Sequence, residues 1–456
     1  MKRLSRRAFL AASAAAAAGP ALAAPRQAPA PPATEIPRSG TVDAVIVGAG
    51  AAGIAAARRL GAAGKRYALL EAADEAGGRC ITDTRLFGVP FDRGAHWIYS
   101  TDINPLAKLA GQTGLEIYPA PPGQRMRIGR RFAREGEMEE FLAGLVRANT
   151  AIADAARKSD VACSQVLPKD LGDWRSTVEL VLGPYGCGKD LTEASTVDLA
   201  RSVDRDNSAF CRQGFGTLLA KLAASLPIQL ATPVKSVDWG SRVRMDVETT
   251  KGQFRTGAII VTVSTNVLLA GKIRFSPELP KRHLDAAAKL RLGSQDHVAL
   301  ELPGNPLGLR ADELAFEKSD GKQTAAIFAN VSGSTLCVVD VGGSFGRELS
   351  GKGTAAMIDF ALTWLSGLYG NDMKAIVKRR HATRWNEEPW VLGASSVAAP
   401  GAQSARRIMM EPLGNRIFFA GEAAHETLWG TVGGAWDSGE RAADAVIKLL
   451  GGPSRR

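Results

Sequence analysis

Hydrophobic and polar positions fall into their clearest pattern between residues 42 and 71. Val42, Ala44, Val45, Ile46 and Val47 form a short apolar run with strand character, and glycines follow at positions 48, 50 and 53. A helix-forming run over 51–63, a helix stop at Gly64 and a second apolar run over 67–70 complete a strand–helix–strand unit. Further along, 135–156 and 217–225 read as helices. Residues 229–234 and 236–239 read as strands, and 243–247, 253–256 and 258–263 as a meander. The segments 298–302, 325–330 and 336–341 predict more strands, and 354–368 an amphipathic helix. A last strand over 416–420 precedes a helix running to Leu450. At 456 residues this alternation predicts an α/β chain of two domains.

The first unit carries its own chemistry. Gly48, Gly50 and Gly53 stand at G-x-G-x-x-G spacing after a strand and at the start of a helix, the arrangement that receives a dinucleotide. Gly48 permits the tight turn, Gly50 lets the backbone approach a pyrophosphate, and Gly53 lets the helix pack on the strand. Glu71 ends the second strand 21 positions after Gly50, where a carboxylate accepts from a ribose hydroxyl and disfavours a 2′-phosphate. Gly77-Gly78-Arg79 suits a second loop closing over the same ligand, with Arg79 near phosphate or flavin.

Composition narrows the class. With 45% apolar and 23% charged residues the chain is globular rather than disordered or membrane-embedded. Net charge is +11, four of it from Lys2, Arg3, Arg6 and Arg7, so the remainder is a mild +7. No basic run interleaves with aromatics, and Lys378-Arg379-Arg380 reads as solvated surface, which excludes nucleic acid as a partner. Ser5 to Leu10 (SRRAFL) is a twin-arginine motif, followed by a short alanine-rich run and the cleavage pattern Ala21-Leu22-Ala23. The expectation is a signal peptide over 1–23, export by the twin-arginine machinery, a periplasmic location, and a proline/alanine-rich linker over 24–40. Cys80, Cys163, Cys187, Cys211 and Cys337 show no metal spacing, so no metal site is expected. Cys163 and Cys187 either pair in an oxidising compartment or stay as buried thiols.

Three segments, LLEAADEAGGR (69–79), FDRGAHWI (91–98) and RIFFAGEAAHETLWGTVGGAWDSGERAA (416–443), together resemble the flavin-dependent amine oxidases. That family includes monoamine, polyamine and related L-amino-acid oxidases. The resemblance covers nearly all of 41–450, with the motifs in the family's order. It implies a Rossmann-like FAD-binding domain over 41–98, 213–265 and 385–450, interleaved with an α+β substrate-binding domain over 99–212 and 266–384. It implies FAD, held by Gly48, Gly50, Ala52, Gly53, Glu71, Gly78, Arg79, Gly94, Ala95, His96, Trp97, Val234, Gly421, Glu422, Thr431 and Val432. Some members bind flavin through a cysteine in the segment matching WNEEPWVLGASSVAAP (385–400). Ala394 falls at or beside that place, so the FAD is expected to be non-covalent.

Around the ring, the resemblance puts His297 where many members carry a lysine that holds a water at flavin N5; Asp296 takes the place if the register slips by one. A neutral imidazole there would hold the same water or assist proton removal. Ser395 and Thr431 fall where aromatic-cage tyrosines often stand, and Trp390 and Trp429 offer aromatic faces from other positions. The implied reaction passes a hydride from the α-carbon of a small-molecule amine to flavin N5. The imine then hydrolyses, and O2 (giving H2O2) or a periplasmic acceptor takes the electrons. Two other readings stand beside it: a desaturase or porphyrinogen-type oxidase on the same scaffold, and a flavoprotein without turnover that transfers electrons. Glu135, Glu137, Glu139 and Glu140 either line an entrance for polycationic amines or form an exposed helix face.

Overall fold

The computed structural model describes residues 39–203, 207–370 and 372–451. The expected leader over 1–23, and the linker up to residue 38, lie outside the described residues.

The predicted strand–helix–strand unit forms as Gly40–Val47, Ala51–Ala62 and Tyr67–Leu70. The two strands run parallel, with Val47 opposite Leu70, and Gly40–Val47 also pairs in parallel with Gln253–Val261. Strand alternation sends Val45 and Val47 into the core on one side of this sheet. Ala44 and Ile46 go under helix Ala51–Ala62 on the other. All four are buried, and hiding a side chain the size of Val45 or Ile46 stabilises the fold by about 1.5–3 kcal/mol.

Eight strands make up this sheet. The expected strand over 229–234 is instead two, Ile228–Gln229 and Val234–Asp238, at different places in the strand order. Ala231 takes a left-handed φ of 48° and Pro233 has no N–H to give, so the chain turns there. The expected break at residue 257 is absent, and Gln253–Val261 is one strand of 9 residues. Arg274–Ser276 also joins this sheet, beside Val234–Asp238, although it lies beyond the expected boundary at 265.

A second sheet of seven strands follows the order Arg380–Ala382, Gln295–Glu301, Leu336–Gly342, Ala326–Ala329, Glu313–Glu317, Arg125–Ile128 and Arg131–Phe132. One face is packed by helix Thr354–Tyr369, which buries Met357, Ala361 and Leu365 against Val339 and Val341. The opposite face carries Gln295 and His297 from one strand, and Leu336, Val338 and Asp340 from its antiparallel neighbour. That face is one wall of a large cavity.

The C-terminal helix Val432–Leu449 lies against helix Ala51–Ala62 so tightly that a methyl on Gly439 would strike the Ala52 carbonyl. Its N-terminus, at Thr431 and Val432, reaches the same cavity as the start of the first helix.

Candidate functional site

A cavity of about 400 Å³ brings the Gly48–Glu71 turn, the 78–79 and 94–97 loops, the His297 sheet face and the 430–432 turn into one space. At its first end, Gly48 adopts a φ of +103°, open to glycine and costly for other residues. A methyl on Gly53 would collide with the Gly48 carbonyl, so the helix meets the turn only because position 53 has no side chain. A methyl on Gly50 would meet only ordinary contacts, the Gly77 carbonyl at 3.9 Å and Gly78 Cα at 4.0 Å, and Gly50 precedes a helix to whose start no side chain bonds. Ala51 and Ala52 line the cavity there, and an uncapped N-terminus of this kind attracts an anion.

Glu71 is held at the end of its strand by backbone donors: Ala49 N–H at 2.7 Å on Oε2 and Ala73 N–H at 2.9 Å on Oε1. Burial pushes its carboxyl up, and the N–H bonds from Ala73, Ala49 and Ala72 only partly oppose that. Val234 faces the same end, beside Thr232 and Pro233.

Arg79 and Glu422 meet on the cavity wall, Nη1 to Oε1 at 2.9 Å, and the same Nη1 donates to the Ala394 carbonyl. Glu422 also accepts from the Ser396 hydroxyl at 2.6 Å and from Gly430 N–H at 3.0 Å. Burial would raise the Glu422 carboxyl; Arg79, Ser396 and Arg406 outweigh it and hold the group below its ordinary value. Gly78, Gly94, Ala95, His96, Trp97 and Gly421 all line the cavity. His96 bonds Asp92 through Nδ1 at 2.8 Å and packs its ring 4.6 Å from Phe210.

Register decides between His297 and Asp296. His297 lines the cavity, whereas Asp296 turns to the other face and takes N–H and hydroxyl bonds from Trp385 and Thr383. His297 stands opposite Asp340 across the antiparallel pair, with Nδ1 on the Asp340 carboxylate and Nε2 2.9 Å from the Gly94 carbonyl. Both ring nitrogens therefore meet acceptors, and only an imidazolium can donate to both. Burial pulls its pKa down, but Asp340, the Gly94 carbonyl and Asp296 outweigh it and raise the imidazole to about 9. This corrects the expectation of an imidazole holding water: both ring nitrogens are occupied by Asp340 and the Gly94 carbonyl, and the raised pKa favours the imidazolium.

Trp390 lines the cavity under the Lys272 ammonium, 4.9 Å from its ring centre. Lys272 lies just before the strand that pairs with Val234–Asp238 in the eight-stranded sheet. Ser395 lines the cavity and donates to the Cys187 carbonyl at 3.3 Å. Thr431 lines it as well, but its hydroxyl is spent on its own helix, donating to Leu428 O at 2.6 Å and accepting from Gly434 N–H at 2.9 Å. Trp429 does not line the cavity. It is buried beneath the Arg406 guanidinium and donates to the Asp198 carbonyl, because the turn points residue 429 inward and residue 431 outward.

The acidic run is likewise no entrance. Glu137 caps helix Glu135–Ala156 and pairs with Arg131, and none of Glu135, Glu137, Glu139 or Glu140 lines the cavity. All five cysteines are free and buried, so Cys163 and Cys187 do not pair. Among the described residues, no group of three His, Cys, Asp or Glu is placed to hold a metal ion.

Residues not anticipated complete the wall: Asp340, Tyr185, Tyr99 and Phe328. Asp340 had a signal in the sequence, a lone carboxylate in the apolar strand LCVVDVG. Tyr185 ends a π-helical turn, Val181–Tyr185, and stands edge-on to Phe316 at 5.0 Å. Tyr99 lies parallel to Trp97 with ring centres 6.0 Å apart.

Known proteins share both the sequence and the architecture. The human lysine-specific histone demethylase 2 is 27% identical over 453 residues, matching 88% of this chain and 53% of its own length. An Arabidopsis thaliana lysine-specific histone demethylase 1 homolog is 27% identical, matching 89% of this chain and 52% of its own length. The chain thus spans about half the length of the curated relatives it matches. Two solved structures superpose over 90% of the chain: putrescine oxidase bound to putrescine, with a TM-score of 0.76 over 100% of its length, and cyclohexylamine oxidase from Brevibacterium oxydans, with 0.75 over 99%. Each is only 22% identical, and the superposition establishes a shared mixed α/β fold. The family model described as "Flavin containing amine oxidoreductase" matches residues 51–447, nearly the whole span from the glycine turn to the C-terminal helix, and the chain belongs to that family of oxidoreductases.

Proposed function

We propose that the chain binds FAD non-covalently and oxidises a small monoamine at the carbon bearing its nitrogen. The observation that carries this reading is one cavity that has the Gly48–Glu71 turn and the His297–Asp340 pair on its walls. Its residues fit a flavin dinucleotide. Gly48, Gly50 and Gly78 bring bare backbone to the cavity wall, Glu71 is fixed at the strand end, and the first helix is uncapped. Ala394 on the wall carries no nucleophile, which supports a non-covalent cofactor. Bound FAD would supply the two-electron acceptor for a hydride from the amine's α-carbon.

The chain's own residues would bind, orient and exclude water. Val338, Leu336, Phe328 and Val331 make the wall beyond His297 apolar, and all four are buried. An amine drawn from water into such a space favours its neutral form, the form able to release the hydride. The His297–Asp340 pair, neutral overall, would hold the Gly94 loop against the sheet. The N-terminus of Val432–Leu449 would stabilise negative charge developing beside it. Asp340 is already neutralised by His297, so that face offers no free carboxylate to a second ammonium. This favours an amine with an apolar body over a polyamine.

The imine would hydrolyse in water, with oxygen or a periplasmic acceptor taking the electrons. Twin-arginine export, the periplasmic location and the division into FAD-binding (41–98, 213–265, 385–450) and substrate-binding (99–212, 266–384) domains belong to the same proposal. The first two rest on SRRAFL and the cleavage pattern; the third is supported by the two sheets, which draw on the corresponding stretches of chain apart from Arg274–Ser276. A desaturase is the second reading, favoured by the histidine where an amine oxidase often has lysine. The test is anaerobic addition of amines to the purified yellow protein. Bleaching of the flavin band by an amine supports the proposal. A flavin that dithionite reduces and no amine reduces would remove it.

A further inference from the structure

A buried series of alternating charges leads from the cavity wall to a residue pair that touches no part of the cavity. Arg406 and Asp198 are both fully buried, joined Nε to Oδ1 and Nη2 to Oδ2 at 2.7 Å each. Arg406 Nη1 donates to the Ser396 hydroxyl at 3.1 Å; that hydroxyl donates to Glu422, and Glu422 pairs with Arg79 on the wall. Asp198 accepts from Ala398 N–H at 2.8 Å, and its own carbonyl accepts from the Trp429 indole at 3.1 Å. The pair thus fixes two segments at once: the one that carries Ala394 and Ser395 to the cavity, and the turn that carries Gly430 and Thr431 there.

A buried ion pair adds little stability over apolar residues of the same volume, because desolvating both charges offsets their attraction. Its geometric product is more specific. We propose that Arg406, its fork held by Asp198, is a positioning residue that aims Glu422 at Arg79 and so presents the Arg79 guanidinium to an anionic part of the bound flavin cofactor. The inference rests on the flavin reading above. It concerns cofactor placement and makes no demand on which amine is oxidised.

The test compares wild type, Arg406→Lys, Arg79→Gln and the double variant, each purified as holoprotein. FAD retention is read as the dissociation constant from flavin released on dilution, together with the visible absorption bands. A wild type that carries no flavin would sink the cofactor reading itself before any variant is compared. Arg406→Lys keeps the charge but loses the two-pronged fork. It is expected to weaken FAD binding about tenfold and shift the absorption bands, yet to add less than about twofold once Arg79 is already glutamine. Equal losses in both backgrounds, or unchanged FAD binding, would overturn the proposal. Should the lysine variant fail to fold, Asp198→Leu/Arg406→Met supplies the apolar replacement. It is expected to melt near the wild-type temperature while losing FAD affinity to the same extent, and wild-type affinity in that variant would also overturn the proposal.

Discussion

His297 and Asp340 face each other across two antiparallel strands, and the contact between Nδ1 and the carboxylate leaves Nε2 to hold the Gly94 carbonyl at 2.9 Å. One imidazolium therefore ties the seven-stranded sheet to the loop that carries Ala95, His96 and Trp97 into the cavity.

The pair makes a pH prediction with a definite sign. The folded imidazole is raised from 6.5 to about 9, so its stabilising contribution is complete below pH 6.5 and disappears as pH rises through about 9. Thermal unfolding across pH 6 to 10 should show the melting temperature falling on the alkaline side. In Asp340→Asn the folded pKa drops back toward 6.5, so the alkaline fall should be smaller and end nearer neutrality. A variant whose profile overlays that of wild type would show that the two residues are not coupled.

Glu71 is expected to matter for the cofactor more than for folding. Glu71→Gln keeps the volume but replaces a carboxylate acceptor for Ala49 and, in the FAD reading, for the ribose, and a hydrogen bond to a charged group is worth about 1 kcal/mol more than a neutral one. FAD affinity should fall by at least about tenfold, and the dissociation constant of the variant checks this.

Gly53→Ala should disturb both. The added methyl has to displace the Gly48 carbonyl, and overpacking of this kind costs about 1–3 kcal/mol. The variant should melt several degrees lower and emerge from purification without yellow colour. Gly439→Ala, clashing at the Ala52 carbonyl, should lower the melting temperature as well.

The cysteines allow a count. With all five buried and free, a thiol reagent should modify almost none in the native protein and five in guanidinium without reductant. Three under denaturing conditions would mean that a disulfide forms after all.

How much of this was legible in the chain follows from the range of each interaction. Gly48, Gly50 and Glu71 act within one local unit, so spacing alone placed them at the cavity, while Gly53 lies behind the turn and does not line it. The choice between His297 and Asp296 needed the register of the second sheet. Asp340 needed pairing between strands 43 positions apart, which no local pattern encodes. The two partners of His297 leave neither ring nitrogen for a water and favour its protonated form, and neither partner is adjacent to it in the chain. Trp429 and Thr431 are two positions apart, yet one is core and the other wall; motif position gave both residues without their directions. Ala231 and Pro233 divided a predicted strand because backbone angle overrode an apolar pattern. Asp198 and Arg406, 208 positions apart, left no mark in the sequence at all.

The measurement closest to the central claim is anaerobic stopped-flow reduction of the flavin by hexylamine and by cadaverine, a diamine of equal chain length. The apolar wall of Val338, Leu336 and Phe328 and the neutralised Asp340 predict rapid bleaching by hexylamine, and bleaching at least about tenfold slower by cadaverine, whose second ammonium finds no free carboxylate on the His297 face. Faster reduction by cadaverine would contradict the monoamine assignment while leaving amine oxidation in place, and no bleaching by either would contradict the account at its root.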